Sequence, residues 1–235
     1  MLWKLSVLSE EDEMKGIPSE SEFRKALEER HGREAQDRLS AAHVAICGLG
    51  GLGSNIAVSL ARIGVGHLHL IDFDCVDISN LNRQQYFADQ IGLPKPQALH
   101  ANLKRIAPYC DIRESFVRIT PDNACELLQN EPFIAEAFDR PDQKAMLTRM
   151  VLEQMPDRFL AGASGMAGYG NSNTIQTRRI TSHFFLCGDR VSDSEKGIGL
   201  MAPRVMLCAA HQANMLTELI IRQREENRNG TGRRI

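Results

Sequence analysis

The sequence predicts an α/β fold, a mostly parallel sheet with helices on both faces, on three observations. Short apolar runs of strand length alternate with segments of helical spacing from residue 43 to residue 164, the order that a parallel sheet with crossover helices requires. A glycine-rich turn, Gly48, Gly50 and Gly53, sits between the first apolar run and the first helical segment, where a nucleotide-binding turn belongs. Beyond residue 165 the alternation stops, and two strand-like stretches and one long helical segment follow.

The elements follow in order. Residues 1–40 are charged and rich in helix formers and are expected to form a helical arm, capped by Ser19 or Ser21, with Phe23, Leu27 and Leu39 facing inward and Gly32 as a candidate break. HVAIC (43–47) reads as a buried strand and 51–63 as a helix. HLHLID (67–72) is the second strand, and PQALHANLKRIA (96–107) a helix. The strand DIRESFVRI (111–119) is followed by a helix over 121–130 opened by Pro121. FIAEAF (133–138) and RFLAGAS (158–164) are strands flanking a helix over 141–155. GYGNSNTIQTRRI and SHFFLCG are expected as antiparallel strands, and a last helix runs from Pro203 to Arg224. The nucleotide-binding domain thus spans 41–225, with 226–235 as a polar, frayed tail.

Composition removes several classes. Hydrophobic residues are 43%, charged residues 25% and the net charge is −2, so bulk charge gives no reason to expect a nucleic-acid partner. No apolar run is long enough to span a bilayer. The N-terminus MLWKLSVLSEEDEMKG lacks the apolar core and cleavage site of a signal peptide, so a cytoplasmic location is expected, with the six cysteines as free thiols. None of them forms a C-x-x-C pair and the seven histidines have no metal-ligand spacing, so no zinc site is predicted. His67 and His69, on one face of a strand, read as packed or partly exposed, and His211, on the last helix, as structural.

The glycine turn alone leaves the nucleotide open. Asp72 ends the second strand, where an acid can accept bonds from ribose hydroxyls. That fits NAD and the adenosine half of ATP equally. The next segment favours ATP. IDFDCVDISNLNRQQYF carries Asp74, Ser79, Asn80, Leu81, Asn82, Arg83 and Gln84 where a redox fold would enter its crossover helix directly. Lys95 precedes Pro96 and is expected at the mouth of the helix that Pro96 begins. A cation there opposes the helix dipole, a cost that a bound anion would relieve.

Taken together, GLGGLGSN, the DFD at the second strand end, SNLNRQ, Lys95, the AFD ending in Asp139 and the segment GLMAPRV (199–205) resemble the adenylyltransferases that activate ubiquitin-like proteins. These are the ThiF/MoeB group, related to the ubiquitin-activating enzymes. The resemblance covers roughly residues 40 to 220. The compact length, the ERH near residue 30 and SGMAGYG look most like a short ThiF-type protein of thiamine biosynthesis.

The resemblance implies a Rossmann-like fold and a reaction in which a carrier protein's C-terminal glycine carboxylate is joined to AMP with release of pyrophosphate. It implies ATP and Mg2+, a ThiS-like carrier ending in Gly-Gly, and a homodimer. Gly51 and its neighbours Gly48, Gly50 and Gly53 would lie against the nucleotide. Asp72 and Asp74 would stand at the ribose end, and the loop Ser79, Asn80, Leu81, Asn82, Arg83 and Gln84 would meet the phosphates, Arg83 foremost because a guanidinium fork suits phosphate oxygens. Lys95 would reach the phosphates near the reacting atom. Asp139 corresponds to an essential acid and a magnesium ligand. Arg30, with Arg24 second, would cross from the neighbouring subunit to the triphosphate. The glycines 162, 165, 168 and 170 and the 188–200 loop would flank a channel for the carrier's tail.

The sequence departs from the group in three ways. It lacks the two C-x-x-C pairs of many relatives. Glu195 stands near the place where many carry a cysteine, which leaves Cys187 as the nearest thiol and an inert strand-end cysteine as the competing reading. Arg140 follows Asp139 where asparagine is frequent. Three other readings stay open: an enzyme acting on a tRNA-linked carboxylate, of the threonylcarbamoyl-adenosine dehydratase type; a non-catalytic carrier-binding scaffold; and a dehydrogenase, for which no catalytic His or Tyr-x-x-x-Lys pattern is present.

Overall fold

Alternation along the strands decides the layers. In β1 (His43–Cys47) Val44 and Ile46 point to one face and Ala45 and Cys47 to the other, and all four are fully buried. Both faces must therefore be covered, as in a parallel sheet. The computed structural model describes residues 16–193 and 197–228. Glu195, the residues before 16 and those after 228 fall outside the described residues, and with them the expectations placed on these positions.

Seven strands form one sheet in the order β3-β2-β1-β4-β5-β7-β6. These are β1, β2 (His67–Asp72), β3 (Asp111–Phe116), β4 (Phe133–Glu136), β5 (Phe159–Ala163), β6 (Gln176–Arg179) and β7 (Phe184–Gly188). The chain starts at the middle of the sheet, builds outward to β3, then returns to the other side of β1 at β4. That reversal opens a crevice beyond the carboxyl ends of β1 and β4.

The helices divide between the two faces. α1 (Glu20–His31) and α2 (Arg33–Ser40) precede β1, and α3 (Gly51–Arg62) and α4 (Lys95–Ile106) are crossovers. α5 (Ala124–Leu127) and α6 (Pro141–Gln154) follow, and α7 (Ala202–Arg228) ends the fold. Ile56 and Leu60 of α3, Leu99 and Leu103 of α4 and Cys208 and Leu216 of α7 cover one face. Ala124 of α5 and Leu147, Met150 and Val151 of α6 cover the other. Each such leucine or isoleucine contributes about 1.5–3 kcal/mol on leaving water.

The arm is tied to the sheet's other end. Ser19 supplies the capping box of α1: its hydroxyl accepts from the Glu22 amide, and the Glu22 carboxylate accepts from the Ser19 amide at 2.8 Å. Gly32, at φ +80°, breaks the helix as expected. Leu39 is buried in the core, while Phe23 and Leu27 are half-buried, Phe23 against Tyr109.

Several boundaries differ from the sequence reading. β3 stops at Phe116, and residues 117–119 instead bend to line the crevice. The helix expected over 121–130 shrinks to the single turn of α5, because Thr120 and Asn123 close a local turn through the Asn123 side chain. α4 begins at Lys95, one residue before Pro96, and α7 runs from Ala202 to Arg228. Only β6 is antiparallel in the last third. β7 pairs with it, as the short link between them dictates, but lies parallel to β5, with Leu160 opposite Phe184.

His69 is buried, its Nδ1 3.0 Å from Glu131 Oε1 and its Nε2 2.8 Å from Ser115 Oγ. His211 Nδ1 lies 3.0 Å from Thr177 Oγ1. His69 is thus packed, and His211 has a partner within the fold.

Candidate active site

The crevice is a cavity of about 230 Å³ at the carboxyl ends of β1, β2 and β4. Its floor is the glycine turn. Gly48 has φ +92°, and an added Cβ would lie 2.8 Å from the Ala137 carbonyl. A Cβ on Gly53 would lie 1.8 Å from the Gly48 carbonyl, so Gly53 is required by packing and does not line the cavity. At Gly50 the Cβ position is open, with only Gln84 Nε2 within 4 Å, at 3.8 Å. Gly50 is also the N-cap of α3 and offers no side chain to the helix's first amides. Those amides are free to face an anion. Gly51 lines the cavity too, but its closest neighbours are Val205 and Arg83.

Asp72 holds this floor in place. Its Oδ2 accepts from the Leu49 amide at 2.6 Å, and its Oδ1 accepts from the amides of Phe73 and Asp74. Burial lifts its carboxyl above the ordinary value, against the pull of Lys95 and the amides of Leu49 and Asp74. Tyr86 donates to the Leu49 carbonyl at 2.8 Å from the other side. Local spacing offers no reason to single out this buried tyrosine.

The loop after β2 brings its cations to the cavity. Arg83 Nη1 donates to Asn82 Oδ1 at 2.8 Å and to the Ser79 carbonyl at 3.2 Å, while its Nε is buried without a partner. Gln84 Oε1 is likewise buried and unpartnered. An unmet buried group of this kind costs about 1–3 kcal/mol. Ser79, Leu81 and Asn82 do not line the cavity. They stand behind it, Asn82 also donating to the Leu200 carbonyl, because the 3₁₀ turn Ile78–Asn80 points Asn80, Arg83 and Gln84 inward instead.

Lys95 sits at the mouth of α4 as the sequence implies, 5% exposed, with Nζ 3.0 Å from Asp74 Oδ2. Asp139 lies at the rim, exposed, with no partner among the described residues. Arg140 is turned to Asp142 within the first turn of α6, at 2.9 Å.

Other wall residues come from elements far apart in sequence. Arg118, just past β3, lies over the Phe73 ring at 3.7 Å. Lys144 of α6 lines the cavity and binds Glu136, the buried last residue of β4. Arg204, from GLMAPRV, does not line the cavity but makes a buried ion pair with Asp189 at 2.6 Å and also donates to Asn171 and Thr174. It ties the start of α7 to the loops on either side of the β6–β7 hairpin.

Arg30 is exposed on α1, and Arg24 is paired with Glu28 and Asp37. The arm that carries them packs near the amino ends of β2 and β3, through Gln36 to the Gly64 carbonyl and Tyr109 to the Pro18 carbonyl. Neither arginine reaches the cavity of its own chain. Cys187 is fully buried, and burial pushes its thiol up to about 11, which removes the thiolate that covalent chemistry needs. Cys75 is the exposed thiol among the described residues. Gly165, Gly168 and Gly170 all have positive φ, and Met166 between them touches the cavity. No group of three His, Cys, Asp or Glu among the described residues is arranged to hold a metal. No helix among them is long and apolar enough to cross a membrane.

Residues 23–233 match the model of the ThiF family. The chain belongs to the ThiF family. Within it, the chain is 34% identical over 119 residues to the tRNA threonylcarbamoyladenosine dehydratase of Escherichia coli strain K12, covering 50% of this chain and 44% of that one. It is 35% identical over 109 residues to the sulfur carrier protein adenylyltransferase of Thermus thermophilus, covering 46% and 40%. Both matches thus span under half the relative's length. Among solved structures, the E. coli tRNA N6-threonylcarbamoyladenosine dehydratase in complex with AMP superposes with a TM-score of 0.79 at 21% identity, over 89% of this chain and 99% of that one. The likeness shows a fold shared over most of both chains.

Proposed function

We propose that this ThiF-family chain catalyses the ATP-dependent adenylation of a carboxylate, and that its acyl substrate is the C-terminal glycine of a small ThiS-like sulfur carrier ending in Gly-Gly, in thiazole formation for thiamine. The observation that carries the reading is the cavity that gathers Arg83, Lys95, Asp139 and the uncapped N-terminus of α3. These groups suit a triphosphate, and none is needed by a nicotinamide.

In the reaction a carboxylate oxygen attacks the α-phosphorus, the bond to the β-phosphate oxygen breaks, and pyrophosphate leaves. The problem is the approach of two anions, so catalysis lies in shielding charge and holding the groups in line. Arg83 supplies a guanidinium already fixed by Asn82 and Ser79. Lys95 supplies a mobile ammonium if it leaves Asp74, which is half exposed. Asp72 would face the sugar end, and Gln84 and the α3 amides the phosphates. Asp139, without a partner among the described residues, would hold a magnesium ion, which would shield the departing phosphates. Arg30, without an ion pair among the described residues and outside its own cavity, would serve the site of a second copy in a homodimer.

The test is ATP–pyrophosphate exchange with a panel of carriers ending in Gly-Gly. Exchange dependent on one of them is expected. Nucleotide binding without exchange for any carrier counts decisively against the reading. The similarity to tRNA threonylcarbamoyladenosine dehydratases favours a second reading, a tRNA-linked carboxylate, for which ATP turnover would depend on tRNA.

A further inference from the structure

Among the cavity cations with no part in the chemistry above, Lys144 is the one held by a buried carboxylate. Lys144, in the first turn of α6, places its Nζ 3.0 Å from Glu136 Oε1 and 3.2 Å from Oε2. Glu136 is 2% exposed, and its Oε1 also accepts from the Phe138 amide at 2.8 Å. The backbone beneath is pinned as well. Gln212 of α7 donates to the carbonyls of Glu136 and Ala161, at 2.9 and 3.0 Å, joining the ends of β4 and β5. The Lys144 side chain is 21% exposed, on the cavity side.

A buried ion pair of this kind is a poor source of stability, because desolvating the two charges offsets their attraction. Its effect here is geometric. An ammonium has three N–H donors. Glu136 engages two and fixes the side chain's direction, which leaves one for the cavity. The strand order sets what that donor meets. The glycine turn and Arg83 stand over β1, and Asp72, Asp74 and Lys95 lie toward β2. Lys144, held at the end of β4 by Glu136, stands beyond them toward β5. With the triphosphate over β1, an anion arriving from the β5 side meets Lys144 first.

We propose that Lys144 binds the carboxylate of the acyl substrate and holds it for in-line attack on the α-phosphorus, with Glu136 as the positioning residue that aims the ammonium. The inference rests on the adenylation reading. It assigns to one side chain the task of gathering the second anion, separate from the cations that hold the nucleotide.

The experiment is ATP–pyrophosphate exchange in which a Gly-Gly carrier and ATP are varied separately. Lys144→Gln is made in a Glu136→Gln background, so that no charge is left buried alone. The KM for the carrier is expected to rise roughly 10- to 100-fold, the loss of one charge-assisted hydrogen bond, with the KM for ATP unchanged. Lys144→Arg, which keeps the cation, is expected to retain most of the carrier affinity. A rise in the KM for ATP, or an unchanged KM for the carrier, overturns the proposal. A second measurement needs no variant: acetylation of Lys144, read by peptide mass spectrometry, is expected to be suppressed by carrier plus an α,β-methylene ATP analogue beyond the effect of the analogue alone. Equal labelling in the two samples also overturns it. Absence of exchange by the unaltered protein would instead refute the adenylation reading, and the assignment of Lys144 with it.

Discussion

Two glycines of one turn are expected to fail in opposite ways when each gains a methyl group. In Gly53→Ala the new Cβ would stand 1.8 Å from the Gly48 carbonyl oxygen and 3.1 Å from Ile46 Cγ2. Relief requires that carbonyl to retreat by more than about 1 Å, an overpacking whose cost reaches roughly 3 kcal/mol or more. It cannot retreat freely, since the Gly48 amide donates to the Ile71 carbonyl at 2.9 Å and the Gly48 Cα already faces the Ala137 carbonyl. At about 2–4 °C per kcal/mol for a chain of this size, the melting temperature falls by roughly 6–12 °C. Gly50→Ala meets only Gln84 Nε2, at 3.8 Å, and Gly50 has φ −74°. Its cost is the weaker N-cap, within about 1 kcal/mol, but its methyl stands in the cavity where a nucleotide would lie. The assay is thermal unfolding with and without MgATP. At 100 times Kd, MgATP stabilises a folded protein by about 2.7 kcal/mol. Gly50→Ala is expected to keep its intrinsic melting temperature within a few degrees and lose most of the MgATP shift. A full MgATP shift in Gly50→Ala, or an unaltered melting temperature in Gly53→Ala, would refute this division of labour.

Three further outcomes are expected. Arg83→Lys keeps the charge but cannot reproduce the two bonds that fix the guanidinium, and pyrophosphate exchange should fall roughly 100-fold, on the scale of losing one preorganised donor. Asp189 is held down to about 2: burial alone would raise it, but the amides of Ser192 and Val191, the Arg204 guanidinium and the Ser192 hydroxyl more than offset this. Such a depressed acid stabilises the fold above pH 4 and loses that contribution as pH falls toward 2. The gap in unfolding free energy between wild type and Asp189→Asn should therefore be about 2 kcal/mol at pH 7 and close between pH 4 and 2; a gap independent of pH would exclude the ion pair as its source. Iodoacetamide at pH 7.5 should label Cys75 in the folded protein and spare Cys187 and Cys208, whose thiols burial pushes up to about 11 and about 12. Peptide mass spectrometry reads this directly.

What was legible from the residues is what neighbours in sequence determine. The turn from Gly48 to Gly53, the acid closing β2, the arginine loop and the lysine at the start of α4 each depend on local spacing, and the cavity contains Gly48, Gly50, Gly51, Asp72, Asp74, Asn80, Arg83, Gln84, Lys95 and Asp139. What escaped depends on strands meeting across the sheet. Arg118 reaches Phe73 only because β3 lies beside β2. Arg204 finds Asp189 only because α7 returns over the end of β7. Glu136 left a weak signal, an acid closing the apolar run FIAE, but its cation stands on the next helix. The loop residues Ser79, Leu81 and Asn82 resemble ligand contacts because they adjoin Arg83, yet a 3₁₀ turn sends consecutive side chains in different directions and only some of them face inward. The parallel setting of β7 was hidden for another reason. A hairpin fixes how β6 and β7 pair with each other and says nothing about which of them docks on β5.

That docking choice has a consequence for crowded solution. Because β7 takes the inner place, the two strands left at the borders of the sheet are β3 and β6. β3 presents Asp111, Arg113 and Glu114 to water, and β6 is four residues long and carries Arg178 and Arg179. Short or charged borders are poor templates for a foreign strand. The most apolar strands, Val44–Cys47 and Phe133–Ala135, are enclosed on both sides. The sheet thus keeps its aggregation-prone segments interior, and sequence changes that neutralise Arg113 or Arg179 are the ones to watch when the protein is concentrated.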